Sequence, residues 1–253
     1  MKKHLQKTSC QISSALIAVV MVGGILVFLT APGQNINDDQ QQLQQELLKN
    51  SELLNEQGTQ QWQADQVENT AQDPIVSTPP ALSDSNAAQP ISGELSVRFT
   101  AIGDSVMLGA VPALKEIFPD SVISAAESRQ VWEVEAIVSE LEEQGNLMDT
   151  VVIALGANGS FSKKSGQALL DLLGPERQIY WIAPYGQNLY WEDSTFEILQ
   201  DLEEKNENLT VLNWPEAAKQ RSDWFYDDGM HLNDAGKTGY AQFLMDSLSF
   251  RAV

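Results

Sequence analysis

The stretch Val97-Arg98-Phe99-Thr100-Ala101-Ile102-Gly103-Asp104-Ser105-Val106-Met107-Leu108-Gly109 runs from a short apolar strand, through a turn of small residues, into a helical pattern. Downstream the alternation repeats. Val122 to Ala125, Thr150 to Leu155, Gln178 to Ile182 and Thr210 to Leu212 read as further strands. Between them, Pro112 to Phe118, Val131 to Glu143, Lys164 to Leu173, Thr195 to Lys205 and Ala235 to Leu248 carry apolar residues at helical spacing, as in Leu169, Leu172 and Leu173. Strands alternating with helices build a mostly parallel sheet covered on both faces. Ligands of such sheets bind beyond the carboxyl ends of the strands. Chemistry is therefore expected at Gly103 to Ser105, Glu127 to Gln130, Gly156 to Gly159 and Pro184 to Trp191.

Upstream of residue 95 the chain changes character. Ile12 to Ala31 carries no charge and approaches the ~20 apolar residues that a helix needs to cross a bilayer. Lys2, Lys3 and Lys7 precede it and Asp38 and Asp39 follow, so the positive-inside rule leaves residues 1–11 in the cytoplasm and the rest outside. A cleaved signal peptide competes with this reading, but a cut after Ala31 would place the bulky Leu29 where processing wants a small residue. Cys10 lies before the apolar run, which disfavours a lipoprotein cysteine. Residues 32–94 are rich in Gln, Asn, Ser and Pro and read as a disordered, acidic linker. Within it Leu43, Leu47 and Leu54 have coiled-coil spacing, but Asn50 and Gln57 interrupt the seam, so at most a transient helix is expected there.

The 253 residues hold 35 Asp plus Glu against 15 Lys plus Arg, a net charge of -20 that argues against nucleic acid as a partner. One Cys and two His leave no cluster for a structural metal, and no cofactor is expected. Imidazole chemistry must use His4 or His231, and the topology holds His4 on the cytoplasmic side. A Ser hydroxyl is a poor nucleophile until a base takes its proton, and that base needs a partner to fix its tautomer. Ser105 is the candidate hydroxyl, although Ser is also a common helix N-cap. In Trp224-Phe225-Tyr226-Asp227-Asp228-Gly229-Met230-His231-Leu232, Asp228 stands three residues before His231 on a Gly-containing turn and can reach one ring nitrogen. Asp227 is its rival. In Ala154-Leu155-Gly156-Ala157-Asn158-Gly159 the Asn158 amide could serve as an oxyanion donor or simply form the turn.

The GDSV run at Asp104 and Ser105, the GANG run containing Asn158 and the DGMHL run with Asp228 and His231 resemble, in order and spacing, three sequence blocks of the SGNH (GDSL) hydrolase family. The likeness extends over essentially all of residues 95–253. In particular it resembles the extracytoplasmic SGNH domain attached to membrane acyltransferases that O-acetylate bacterial cell-wall glycans. The resemblance implies a flavodoxin-like three-layer α/β/α fold with a five-stranded sheet, Ser105 as nucleophile, His231 as base and Asp228 as its orienting acid. It further implies an oxyanion hole from the Ser105 backbone N–H, the Asn158 side chain and a backbone N–H of the second block. There Ala126-Glu127-Ser128-Arg129-Gln130 puts Ser128 where related domains usually have Gly. If that position requires positive φ, Ser128 is strained.

The activity so implied is that of a membrane-anchored extracellular serine esterase acting on small O-acyl groups, acetyl above all, of a cell-surface glycan. An O-acetyltransferase fed by a separate membrane acyl-donor protein is the alternative, and a non-catalytic glycan-binding domain is the rival of another class. Tyr185, Tyr190, Trp191 and Trp224 are the aromatics expected to stack on sugar rings. The Asn158-Gly159-Ser160 sequon would lose its amide donor to a glycan, which together with the absence of disulfides favours a bacterial surface protein.

Overall fold

A computed structural model describes residues 38–68 and 97–249. The expected tail, the membrane span at 12–31 and residues 32–37 and 69–94 of the linker lie outside the described residues. No described helix is long and apolar enough to cross a membrane.

Five parallel strands, β1 (Thr100–Gly103), β2 (Val122–Ala125), β3 (Thr150–Ala154), β4 (Gln178–Ile182) and β5 (Leu209–Leu212), lie in the order β2-β1-β3-β4-β5. Alternate residues of each strand enter opposite cores. Val152, Tyr180, Ile182 and Leu212 pack with Leu108, Val111, Leu114, Tyr240 and Leu244 of α2 (Ser105–Ile117) and α7 (Asp234–Ser249). Val151, Ile153, Ile179, Trp181 and Leu209 pack with α3 (Val134–Glu143), α4 (Lys163–Leu173) and α5 (Glu192–Glu203) through Val138, Leu141, Leu169, Leu173 and Leu199. The result is three layers, with a short α6 (Trp214–Ala218) after β5. Between β1 and β3 the order reverses direction, and in open α/β sheets that switch point is where ligands bind.

Two expectations are corrected. The first helix of the domain begins at Ser105, not Pro112, because the Asp104 carboxylate caps it by accepting the Val106 N–H at 3.0 Å. Pro112 is therefore inside α2, where it has no N–H to give the Leu108 carbonyl one turn earlier.

The second correction supplies that missing donor. Within the expected disordered linker, Asp38–Glu68 is a helix, α1, and it packs on α2. Leu43, Leu47, Asn50 and Leu54 fall on one face at helical spacing, with Leu47 and Asn50 each only 4% exposed. Asn50, taken from the sequence as a break in the seam, donates its amide to Leu108 O at 3.0 Å and to Gly109 O at 3.3 Å. A buried unpaired carbonyl costs about 1–3 kcal/mol, so this contact fixes where α1 docks.

Candidate active site

At the carboxyl end of β1, Ser105 is the first residue of α2 and 6% exposed. With the N-cap role taken by Asp104, the Ser105 hydroxyl is left to another partner: its Oγ lies 2.9 Å from His231 Nε2. His231 Nδ1 lies 2.6 Å from Asp228 Oδ2. It is Asp228, not Asp227, that meets the ring.

The turn that carries both residues is closed at its base by the Phe225–Leu232 bridge and by the Tyr226 N–H donating to His231 O at 2.9 Å. Gly229 sits at φ 68, and a Cβ there would come within 2.8 Å of the Gln187 side chain, so the turn needs glycine twice over. Asp228 Oδ1 accepts the N–H groups of Met230 and His231, both at 2.9 Å. Burial pushes the Asp228 carboxyl up, but the His231 ring and these two N–H donors outweigh it and hold it below the ordinary carboxylate value.

The second and third loops are stitched together beside Ser105. Arg129 donates to Ser124 O at 2.5 Å and to Gly103 O at 3.2 Å, tying its loop to the ends of β2 and β1. Gln130 Nε2 donates to Asn158 O at 2.9 Å, while Asn158 Nδ2 makes only a long 3.4 Å contact to Arg129 O, leaving that amide poorly committed. Gly156, at φ 126, opens this loop, and the Trp191 indole N–H fastens its carbonyl at 2.8 Å.

Ser128 does take positive φ, 60°, the one non-glycine among the described residues to do so. The left-handed region costs an L-residue roughly 1–2 kcal/mol, partly offset here by the greater entropy glycine would lose on folding, about 0.5–1 kcal/mol. Ser128→Gly should therefore stabilise the fold by about 0.5–1 kcal/mol in denaturant titration. An unchanged or lower midpoint would show that the serine is not strained.

Asp104 is fully buried beneath this constellation, and desolvation pushes its carboxyl up to about 6 despite the Val106 N–H, His231, the Ala157 N–H and Arg129. Between its ordinary value and about 6 the folded chain holds a proton that the unfolded chain releases. Stability from this group is thus lost as pH rises through that window.

The expected sugar-stacking aromatics divide. Trp224 stacks on Trp214 with centroids 5.7 Å apart and carries the Arg221 guanidinium 4.0 Å from its ring, so packing occupies it. Tyr185 packs against Phe225 at 5.3 Å, and Trp191 braces the Gly156 loop. Tyr190 is 94% exposed and free to stack. Trp132, which sequence reading passed over, is 64% exposed just past Gln130; its place beyond the carboxyl end of β2 was the available signal. Among the described residues no group of His, Cys, Asp and Glu could hold a metal.

No family model matches the chain. The peptidoglycan O-acetyltransferase OatA of Listeria monocytogenes is 30% identical over 147 residues, 57% of this chain and 23% of that protein. The O-acetyltransferase OatA of Staphylococcus aureus is 28% identical over 153 residues, 60% of this chain and 25% of that protein. The chain thus spans about a quarter of the length of these relatives. In three dimensions it is similar to the C-terminal catalytic domain of Streptococcus pneumoniae peptidoglycan O-acetyltransferase A, solved with a methylsulfonyl adduct. The TM-score is 0.54 at 24% identity, covering 60% of this chain and 92% of that one, a likeness of fold. Motifs at the switch point, sheet order and relatives agree: the chain is similar to the SGNH (GDSL) hydrolases and, among them, to the OatA domains.

Proposed function

We propose that the chain is a serine acyl-transfer enzyme that takes a small O-acyl group, acetyl above all, onto Ser105 and passes it on at a cell-surface glycan. The observation that carries this reading is the continuous contact from Ser105 Oγ to His231 Nε2 and from His231 Nδ1 to Asp228 Oδ2. With the proton on Nδ1 donated to Asp228, Nε2 accepts the Ser105 proton as Oγ attacks the ester carbonyl. The developing oxyanion rests on the backbone N–H groups of Ser105 and Ser128 and on Asn158 Nδ2. His231 then gives its proton to the leaving alcohol as the old ester bond breaks. In the second half an acceptor hydroxyl gives its proton to His231 and bonds to the acyl carbon, and His231 returns the proton to Ser105 Oγ as the acyl–Oγ bond breaks.

One further observation bears on the acceptor. The relatives' names favour a glycan hydroxyl over water as acceptor, with Trp132 and Tyr190 as the stacking surfaces offered to sugar rings. Residues 12–31 anchor the chain in the membrane in this reading, with the domain outside and the acyl donor delivered by a separate membrane protein.

The test incubates the purified chain with an activated acetyl ester and cell-wall oligosaccharides. Acetyl recovered on sugar is expected. Free acetate alone would make water the acceptor and the protein an esterase. Neither product, with sugar binding retained, would leave a glycan-binding domain.

A further inference from the structure

Helix α1 touches more than α2. One turn before Asn50, Glu46 Oε2 accepts the Tyr226 hydroxyl at 3.0 Å and the Lys237 ammonium at 2.6 Å. Another turn earlier, Gln42 Nε2 donates to the same Tyr226 oxygen at 3.2 Å. Gln42, Glu46 and Asn50 therefore form a polar ladder of i, i+4 spacing that reads, in turn, Tyr226, Lys237 and the carbonyls beneath Pro112. The Lys237 side chain is largely buried and its other partner, Asp234, is open to solvent, so Glu46 is its enclosed counter-charge.

Tyr226 is no bystander to the chemistry. Its backbone N–H donates to His231 O, and its carbonyl accepts the Gly229 N–H, both at 2.9 Å. It thus holds both sides of the turn on which Asp228 and His231 stand. The first turns of α1 also wall a cleft of ≈ 200 Å³ together with that turn, lined by Asp39, Gln40, Leu43, Tyr226, Asp227 and Asp228. Release of α1 would remove one wall of that cleft and let the turn drift from Ser105.

We infer that α1 is a latch on the catalytic turn and that Glu46 is a positioning residue for His231, acting through Tyr226. The inference rests on the proposed roles of Ser105 and His231 for its effect on rate, though not for its effect on the turn. The latch is specific because its register is set by a different pair, Asn50 and the carbonyl that Pro112 leaves open. Displacement of reacting groups by an ångström costs up to about a hundredfold in rate.

The experiment compares Tyr226→Phe, Glu46→Gln and the double variant in the full chain. Tyr226→Phe is the sharper probe, since it cuts the link to the turn and leaves the Glu46–Lys237 ion pair in place. On a small acetyl ester, kcat should fall about tenfold or more in Tyr226→Phe with KM little changed, a loss made in the transition state. Amide hydrogen exchange over residues 225–232 should speed up while β3 and β4 stay protected. The double variant should be no slower than the slower single, because both act on one link. Wild-type kcat and unaltered exchange in Tyr226→Phe would overturn the inference. So would additive losses in the double variant, or faster exchange spread evenly over the domain. If the wild type cleaves no ester the acyl-transfer reading fails, and the exchange measurement alone decides the latch.

Discussion

Ser105→Ala and His231→Ala should each reduce acetyl-ester cleavage by on the order of 10⁴-fold or more, and the double variant should be no slower than either single. The Oγ and Nε2 atoms lie 2.9 Å apart, and in the proposed mechanism the two side chains act as one reacting unit. Without the hydroxyl there is nothing to acylate, and without the imidazole nothing to take its proton, so the second loss has no further step to slow. Any residual rate would come from the proposed oxyanion donors and from binding. Initial rates on a chromogenic acetyl ester measure this, and independent, multiplying losses would show that the two residues do not act together. Among the described residues His231 is the only imidazole that could act as base.

Asp228→Asn carries the next largest effect, a loss of about 10³–10⁴-fold in kcat with the fold retained. The carboxylate accepts from His231 Nδ1 at 2.6 Å and from two backbone N–H groups at 2.9 Å. An amide presents hydrogens toward the ring, turns it to the other tautomer and puts a proton on Nε2 where Ser105 needs an acceptor. The same substitution has a pH signature. Because the Asp228 carboxyl is held below its ordinary value, its stabilisation is present at neutral pH and lost as pH falls through the depressed value. The stability gap between wild type and Asp228→Asn should therefore be widest near neutrality and close in strong acid, as followed by denaturant midpoints. A gap that widened in acid would contradict the assignment. Asp104 works in the opposite sense, losing stability as pH rises toward about 6, so the two carboxylates are separable by pH.

The sheet was legible because its strands are short apolar runs bounded by Gly, Asn or charge. β2 and β4 begin and end where the patterning places them, whereas β1, expected over Val97 to Ile102, runs from Thr100 to Gly103, with Phe99 O still accepting the Val122 N–H just ahead of it. The site was legible for a topological reason. Parallel strands bring their carboxyl ends to one edge, so Gly103-Asp104-Ser105 and Gly156-Ala157-Asn158 had to meet, and of the two imidazoles in the sequence only His231 lies in the same α/β stretch to join them. Ser128 was legible as a question, since its φ depends on a loop that composition does not describe.

What local pattern could not reveal were pairings across the chain. Asn50 looks like a flaw in an apolar seam until Pro112, far along the sequence, leaves Leu108 O without a donor. The apolar spacing read the helix from Pro112, and the Asp104 cap moves its start back to Ser105. Trp224 read as a sugar platform by its place beside the Asp228 turn, yet it is spent on Trp214 and Arg221. Tyr226, two residues on, faces α1 instead.

The central claim is that Ser105 carries the acyl group between donor and acceptor. Rapid-quench mass spectrometry of the full chain mixed with an activated acetyl ester tests it most directly. One acetyl per chain, mapped to the peptide containing Gly103-Asp104-Ser105, absent in Ser105→Ala and trapped longer when acceptor sugar is withheld, is the predicted result. An adduct that survives Ser105→Ala, or turnover without any adduct on Ser105, would contradict it.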